Sequence, residues 1–289
     1  MQFDMSNTFL ALDQTEHSLT KSKCTILPIP FEATTSYRKG TYLGPSAIIR
    51  ASAEMEDFDI ELGFEPCQIG IYTAPVISPN LTAPDGMISK IADTVEEYLK
   101  KGQFIGVLGG EHSVSVGVVK AMSRQYKDLS ILVFDAQADL RNEYQGSRYS
   151  HACASRRMHD YAPTTIVGVR SITEEELVFA DKHQIPIFYR ASDNINDVNS
   201  IISTLSNNVY ISFDLDAFDP SFMASVGTPE PGGLGWWEAL DILKKVARQR
   251  NIVGFDVVEL SPEEGPEACA YSAAKLVYKI IGYATGKIE

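Results

Sequence analysis

The feature that most restricts the fold is a repeated alternation: short apolar runs rich in β-branched residues, each followed by a longer stretch of helical character. Residues 24–28, 67–72, 104–108, 131–135, 165–169, 185–189, 209–214 and 252–258 read as strands. Several are apolar almost throughout, the pattern of strands covered on both faces. Candidate helices lie between them. One follows Gly44 with Pro45 in its first turn, and one opens with the capping box Thr173 to Glu176. Others span 87–101, 236–250 and 268–283. Strand–helix–strand units cross over with a right hand and set their strands parallel. Eight such strands fit either a closed barrel or an open sheet with helices on both faces, and periodicity does not separate the two. In both, ligands sit at the carboxyl ends of the strands. No Gly/Ser-rich linker, internal repeat or low-complexity tract interrupts the pattern, so residues 1–289 are expected to form one domain.

Bulk properties exclude several functions. The formal net charge of -13 repels phosphate backbones and argues against nucleic acid as a partner. It suits a cationic ligand, or simply solubility. The first twenty residues, MQFDMSNTFLALDQTEHSLT, lack the basic start and apolar core of a targeting segment. No apolar run is long enough to cross a bilayer, so no membrane association is expected. Cys24, Cys67, Cys153 and Cys269 are scattered and form no CxxC pair. They read as reduced thiols, mostly in the core of a cytoplasmic protein.

Polar residues gather where strands end. Gly109-Gly110-Glu111-His112-Ser113 directly follows an apolar run, and its glycines permit a tight strand-to-helix turn that leaves His112 at the strand's carboxyl end. The plainer alternative is a turn with a helix cap. In Val133-Phe134-Asp135-Ala136-Gln137-Ala138-Asp139, alternation puts Asp135, Gln137 and Asp139 on one side if the chain stays extended. In Ser212-Phe213-Asp214-Leu215-Asp216-Ala217-Phe218-Asp219-Pro220, Asp214 and Asp216 share a side and Asp219-Pro220 begins a turn. Four same-side carboxylates on two strand ends repel one another, and a cation is the simplest remedy. Oxygen-rich sites suit Mg²⁺ and Mn²⁺, and a histidine tilts the choice toward Mn²⁺.

At this point the chain resembles the ureohydrolase family of agmatinases and arginases, and is closest to the agmatinases. Ala33-Thr34-Thr35-Ser36-Tyr37-Arg38-Lys39-Gly40 and Gly44-Pro45-Ser46-Ala47-Ile48 resemble the family's N-terminal segment. GGEHS, DAQAD, SFDLDAFDP, GTPEPGG and DVVEL follow in the family's order and approximate spacing. The resemblance implies an α/β fold with an open, mainly parallel eight-stranded sheet and helices on both faces. It also implies a two-manganese site that activates water to hydrolyse a guanidinium group to urea and an amine. One Mn²⁺ falls to His112, Asp135, Asp139 and Asp214, the other to Asp135, Asp214, Asp216 and residue 137, with Asp135 and Asp214 shared. Glu259 matches the acid that grips the guanidinium, a role suited to a carboxylate. His151, in Tyr149-Ser150-His151-Ala152, resembles the histidine that relays a proton to the departing amine. Arg141 is a further candidate for substrate contact. A trimeric or hexameric homo-oligomer is implied as well.

The stretch 139–157, with Arg141 and SHACASRR, resembles agmatinases more than arginases. Agmatine, cleaved to putrescine and urea in polyamine biosynthesis, is the first-choice substrate. An N-substituted agmatine such as aminopropylagmatine is next, because Ala152, Cys153 and Ala154 leave room beside the site. One position departs from the family pattern Asp-Ala-His-x-Asp: residue 137 is Gln. An amide oxygen is a weaker donor to Mn²⁺ than an imidazole. Three readings follow: two ions with Gln137 or water as a poor ligand, a single ion, or a homologue that binds or regulates without hydrolysis. The survival of every other ligand, of His151 and of Glu259 favours an enzyme.

Overall fold

A computed structural model describes residues 7–79, 84–190 and 197–286; the first six residues of the N-terminal stretch discussed above lie outside that set. The strands are β1 (Cys24–Ile29), β2 (Ile71–Thr73), β3 (Phe104–Gly109), β4 (Leu129–Phe134), β5 (Thr164–Val169), β6 (Ile187–Tyr189), β7 (Asn208–Asp214) and β8 (Asn251–Val258). The helices are α1 (Gly44–Ser52), α2 (Pro84–Leu99), α3 (Val114–Gln125), α4 (Ala154–His159), α5 (Glu174–His183), α6 (Val198–Ser203), α7 (Trp236–Gln249) and α8 (Ala268–Thr285). The strands form one sheet in the order β2-β1-β3-β8-β7-β4-β5-β6. Every neighbouring pair is parallel.

The near-continuous apolar strands are explained by two cores, one on each face. Alternation sends Leu132 and Phe134 to one side, under α1, α6, α7 and α8. Ile131 and Val133 go to the other, under α2, α3, α4 and α5. The open, doubly covered sheet is therefore observed and the barrel is not. The chain path from β3 to β4 skips over β8 and β7, so strand order reverses in the middle of the sheet. A crevice opens at such a switch point, beyond the carboxyl ends of the strands.

Some boundaries differ from expectation, for local reasons. Of residues 67–72 only the end is strand: Pro66–Ile69 forms a 3-10 turn, and Gly70, at φ 79, redirects the chain into β2. Ile185 was expected in β6, but its amide closes the end of α5 on Ala180 O, and Pro186 has no amide to give a neighbouring strand. Helix α2 begins at Pro84 rather than Met87. The capping box is present, with Thr173 and Glu176 exchanging side-chain and backbone bonds. Helix α3 follows the strand-to-helix turn expected after Gly109-Gly110, although its own run is valine-rich. All four cysteines are free and buried. Among the described residues, no helix is long and apolar enough to cross a membrane.

Candidate functional site

Four strands adjacent in the middle of the sheet, β3, β8, β7 and β4, carry the candidate residues at their carboxyl ends. After β3 the chain turns sharply. A Cβ on Gly110 would lie 2.1 Å from Phe31 O, so only glycine fits there. The turn buries His112, whose backbone N–H donates to Glu259 Oε1 at 2.7 Å.

The condition for same-side placement, that the aspartate motifs stay extended, is not met. Strand β4 ends just before Asp135 and β7 ends at Asp214, and each of these carboxylates folds back on the chain. Asp135 Oδ1 accepts from Gln137 N at 2.7 Å, and Asp214 Oδ1 accepts from Asp216 N at 2.9 Å. These are the same Asx turn used twice. A 3-10 turn at Leu215–Ala217 follows the second, and Asp139 adopts a left-handed φ of 51° beyond the first. Glu259, after β8, is also left-handed at 66°. Non-glycine residues seldom hold that conformation, and it clusters where side chains must be aimed. Asp219 begins the expected turn: its carboxylate accepts from Ser221, Gly232 and Gly233 and is held down at about 2 by these bonds.

These turns bring the sequence-predicted residues together. His112 Nδ1 lies 3.1 Å from Asp135 Oδ2, 3.3 Å from Asp139 Oδ2 and 3.4 Å from Asp214 Oδ2. Asp135, Asp214 and Asp216 form a second group of closely spaced oxygens. The whole cluster is buried. Burial and mutual repulsion push Asp135 and Asp214 well above the ordinary carboxylate range. Burial opposes a charge on His112, but the carboxylates of Asp135 and Asp139 beside its Nδ1 outweigh burial and raise it well above a free imidazole. Protein alone thus leaves the cluster short of positive charge.

The tautomer of His112 is set from behind. Its Nε2 lies 3.0 Å from Ser212 Oγ, which donates to Asp256 Oδ1 at 2.9 Å, while Tyr210 donates to Asp256 Oδ2 at 2.7 Å. With the Ser212 proton directed at Asp256, Nε2 is the donor to Ser212; in the neutral ring that a metal ligand requires, the Nδ1 lone pair then points into the carboxylates. His112 Nδ1 and Asp135 Oδ2 are both buried without a hydrogen-bond partner. Two orphaned acceptors facing one another fit a shared cation.

The cluster opens into a cavity of ≈ 190 Å³ whose wall includes Asp139, Arg141, His151, Asp214, Asp216 and Glu259. Burial pushes the Glu259 carboxyl well above its ordinary range. His151 Nδ1 lies 3.2 Å from Thr34 Oγ1 and 3.3 Å from Ser150 Oγ, and the ring stands edge-on to Tyr144. Arg141 packs over the Tyr144 ring at 5.1 Å. Of the residues expected to leave room, Ala152 lines the cavity, whereas Cys153 and Ala154 are fully buried in the protein.

Sequence reasoning missed several supports. Glu111 accepts from Ala33 N, Thr34 N, Thr34 Oγ1 and Ser113 Oγ, tying the 33–38 segment to the site. Arg170 donates to the carbonyls of Asp216, Phe218 and Glu230, holding the loops around Asp216. Asp256 was legible in principle, since an acid inside an apolar strand is costly without partners.

With this geometry in view, comparison with known proteins is direct. A model described as the arginase family matches residues 22–282. An N(1)-aminopropylagmatine ureohydrolase of Synechocystis sp. is 40% identical over 268 residues, 89% of this chain and 88% of that protein. An agmatinase of Pyrococcus horikoshii is 35% identical over 260 residues, 89% of this chain and 90% of that protein. The crystal structure of an agmatine ureohydrolase of Thermoplasma volcanium superposes with a TM-score of 0.88 at 29% identity, covering 98% of this chain and 95% of that one.

Proposed function

The chain belongs to the arginase family, and on that premise we propose that it hydrolyses a guanidino compound, agmatine or an N-substituted agmatine, to urea and an amine. Agmatine would give putrescine. The observation that carries this reading is a shared cavity: Glu259 lines the same small space as Asp139, Asp214 and Asp216, with His112 and Asp135 of the cluster buried behind them.

The cluster would hold divalent metal, and three carboxylates with one imidazole around the first position favour Mn²⁺. Bound there, the metal would supply a nucleophilic water at neutral pH. The chain's own residues do the rest. Glu259 has one oxygen fixed by the His112 amide, which aims its carboxylate, and a planar guanidinium gives it a partner for the charge that burial otherwise suppresses. His151 is positioned through Nδ1 by Thr34 and Ser150, leaving Nε2 to deliver a proton to the departing amine. Arg141, stacked on Tyr144, stands at the cavity wall where the substrate's far end would pass. Residues 1–289 would act as one domain, in the cytoplasm, as a trimer or hexamer.

The test is urea release from a panel of agmatine, N(1)-aminopropylagmatine, arginine and shorter guanidino compounds with added Mn²⁺. Urea and the matching amine from agmatine or its aminopropyl derivative are expected. Silence across the panel, with metal bound, would overturn the reading in favour of a non-catalytic binder.

A further inference from the structure

The two halves of the cluster differ in what their oxygens already have. At the first position, His112 Nδ1 and Asp135 Oδ2 have no donor. At the second, the oxygens are supplied. Asp135 Oδ1 accepts from Gln137 N, and Asp214 Oδ1 from Asp216 N. Asp216 Oδ1 accepts from Ala136 N at 3.1 Å, and Asp216 Oδ2 from Thr228 Oγ1 at 2.9 Å.

The side chain of Gln137 completes the set. Turned one way, its oxygen faces only acceptors. Turned the other, its nitrogen donates to Asp216 Oδ2 at 2.8 Å and Asp135 Oδ1 at 3.2 Å. The second orientation satisfies both partners. An NH₂ group that touches one oxygen from each of two carboxylates stands where an ion bridging them would stand. Positive charge is also close by, because the Arg170 guanidinium donates to the Asp216 carbonyl at 2.7 Å. A residue that ligates a second ion must present a lone pair at this point; in the orientation that satisfies both carboxylates, Gln137 presents hydrogens instead.

We infer that the Gln137 amide takes the place of the second cation, bracing Asp135 against Asp216, and that the chain carries a single metal ion at His112, Asp135, Asp139 and Asp214. The inference rests on the metal-binding reading above and narrows it to one ion. Gln137 is on this view a positioning residue: it holds Asp135 so that its other oxygen, Oδ2, faces His112.

Metal-stripped full-length protein titrated with Mn²⁺ tests it, with bound metal counted by elemental analysis and its environment read by electron paramagnetic resonance. The expected result is one ion per chain with the spectrum of an isolated Mn²⁺. In Gln137→His, a second ion should bind and the spectrum should become that of an exchange-coupled pair. Two coupled ions in the parent would overturn the inference and leave the metal-binding reading standing. No ion in the folded parent would overturn both. A folded Gln137→His variant that still binds one ion would show that Gln137 is not what excludes the second. If that variant does not fold, the parent's ion count and spectrum decide alone.

Discussion

The molecule buries acids in two places and treats them in opposite ways. Between α1, α7 and α8, Asp59 lies 2.7 Å from Lys279 Nζ and 3.1 Å from Lys275 Nζ. Glu61 meets Lys279, Lys244 and Tyr283. Burial works against both charges, but the lysine hydrogen bonds outweigh it and hold both acids below their ordinary values. At the strand ends, Asp135, Asp214 and Glu259 are buried like Asp59, whereas Glu61 is half-buried, and burial raises all three strand-end acids. Among the described residues, the basic side chain in contact with Asp135 and Asp214 there is His112. The fold supplies counter-charge to the first cluster and leaves the second to be completed from outside. Asp59 and the strand-end acids, alike in depth, are told apart by their partners.

The largest effect expected from breaking this contrast is at Lys279. Lys279→Met strands Asp59 and Glu61 with their remaining lysines and should cost about 3 kcal/mol in urea unfolding at neutral pH. The sign with pH follows from the lowered values. Stability from these acids is complete above their ordinary pKa and is lost as pH falls through the lower folded ones. The gap between parent and variant should therefore shrink in acid. Metal binding should not change; if it falls, the two clusters are coupled and the contrast fails.

Asp135→Asn should act in the opposite sense. It removes an uncompensated buried charge, so the metal-free variant should unfold no more easily than the metal-free parent. Its Mn²⁺ affinity should drop by at least about 100-fold, beyond what loss of an outer partner costs. Equal affinity in parent and variant would place the metal elsewhere.

Glu259→Gln sharpens the comparison within the strand-end cluster itself. Metal content should stay intact while turnover falls by the equivalent of about 1.5–3 kcal/mol, the typical worth of a bond to a charged group. Rates like the parent's would remove Glu259 as the substrate's anchor. Asp256→Asn carries the smallest effect. It weakens the Ser212 support behind His112 and should lower metal affinity by roughly 10-fold, measured by competition with a chelating dye. No change would mean that Ser212 alone fixes the imidazole.

The sheet was legible because doubly covered parallel strands need nearly continuous apolar runs, as in residues 129–134 and 209–213. The site was legible because polar residues follow those runs directly. Other features were not. Val114, Val116, Val118 and Val119 favour strand by propensity, yet they form the buried side of α3, where packing on α2 overrides it. The extended geometry on which the same-side placement was conditional does not hold, because an aspartate carboxylate competes for the amide two residues on. That Asp139 still reaches His112 depends on a left-handed kink that residue type does not announce. The supports at Glu111 and Arg170 act through backbone groups of distant loops, which a linear reading does not bring together.

The central claim is that the strand-end acids await a divalent cation. Unfolding of metal-stripped protein at neutral pH, with and without Mn²⁺, tests it most directly. A ligand held only by the folded state stabilises by about 2.7 kcal/mol at one hundred times its Kd. The expected result is a rise of that order in the parent and little or none in Asp135→Asn. A parent unfolding curve that Mn²⁺ does not move would contradict the claim.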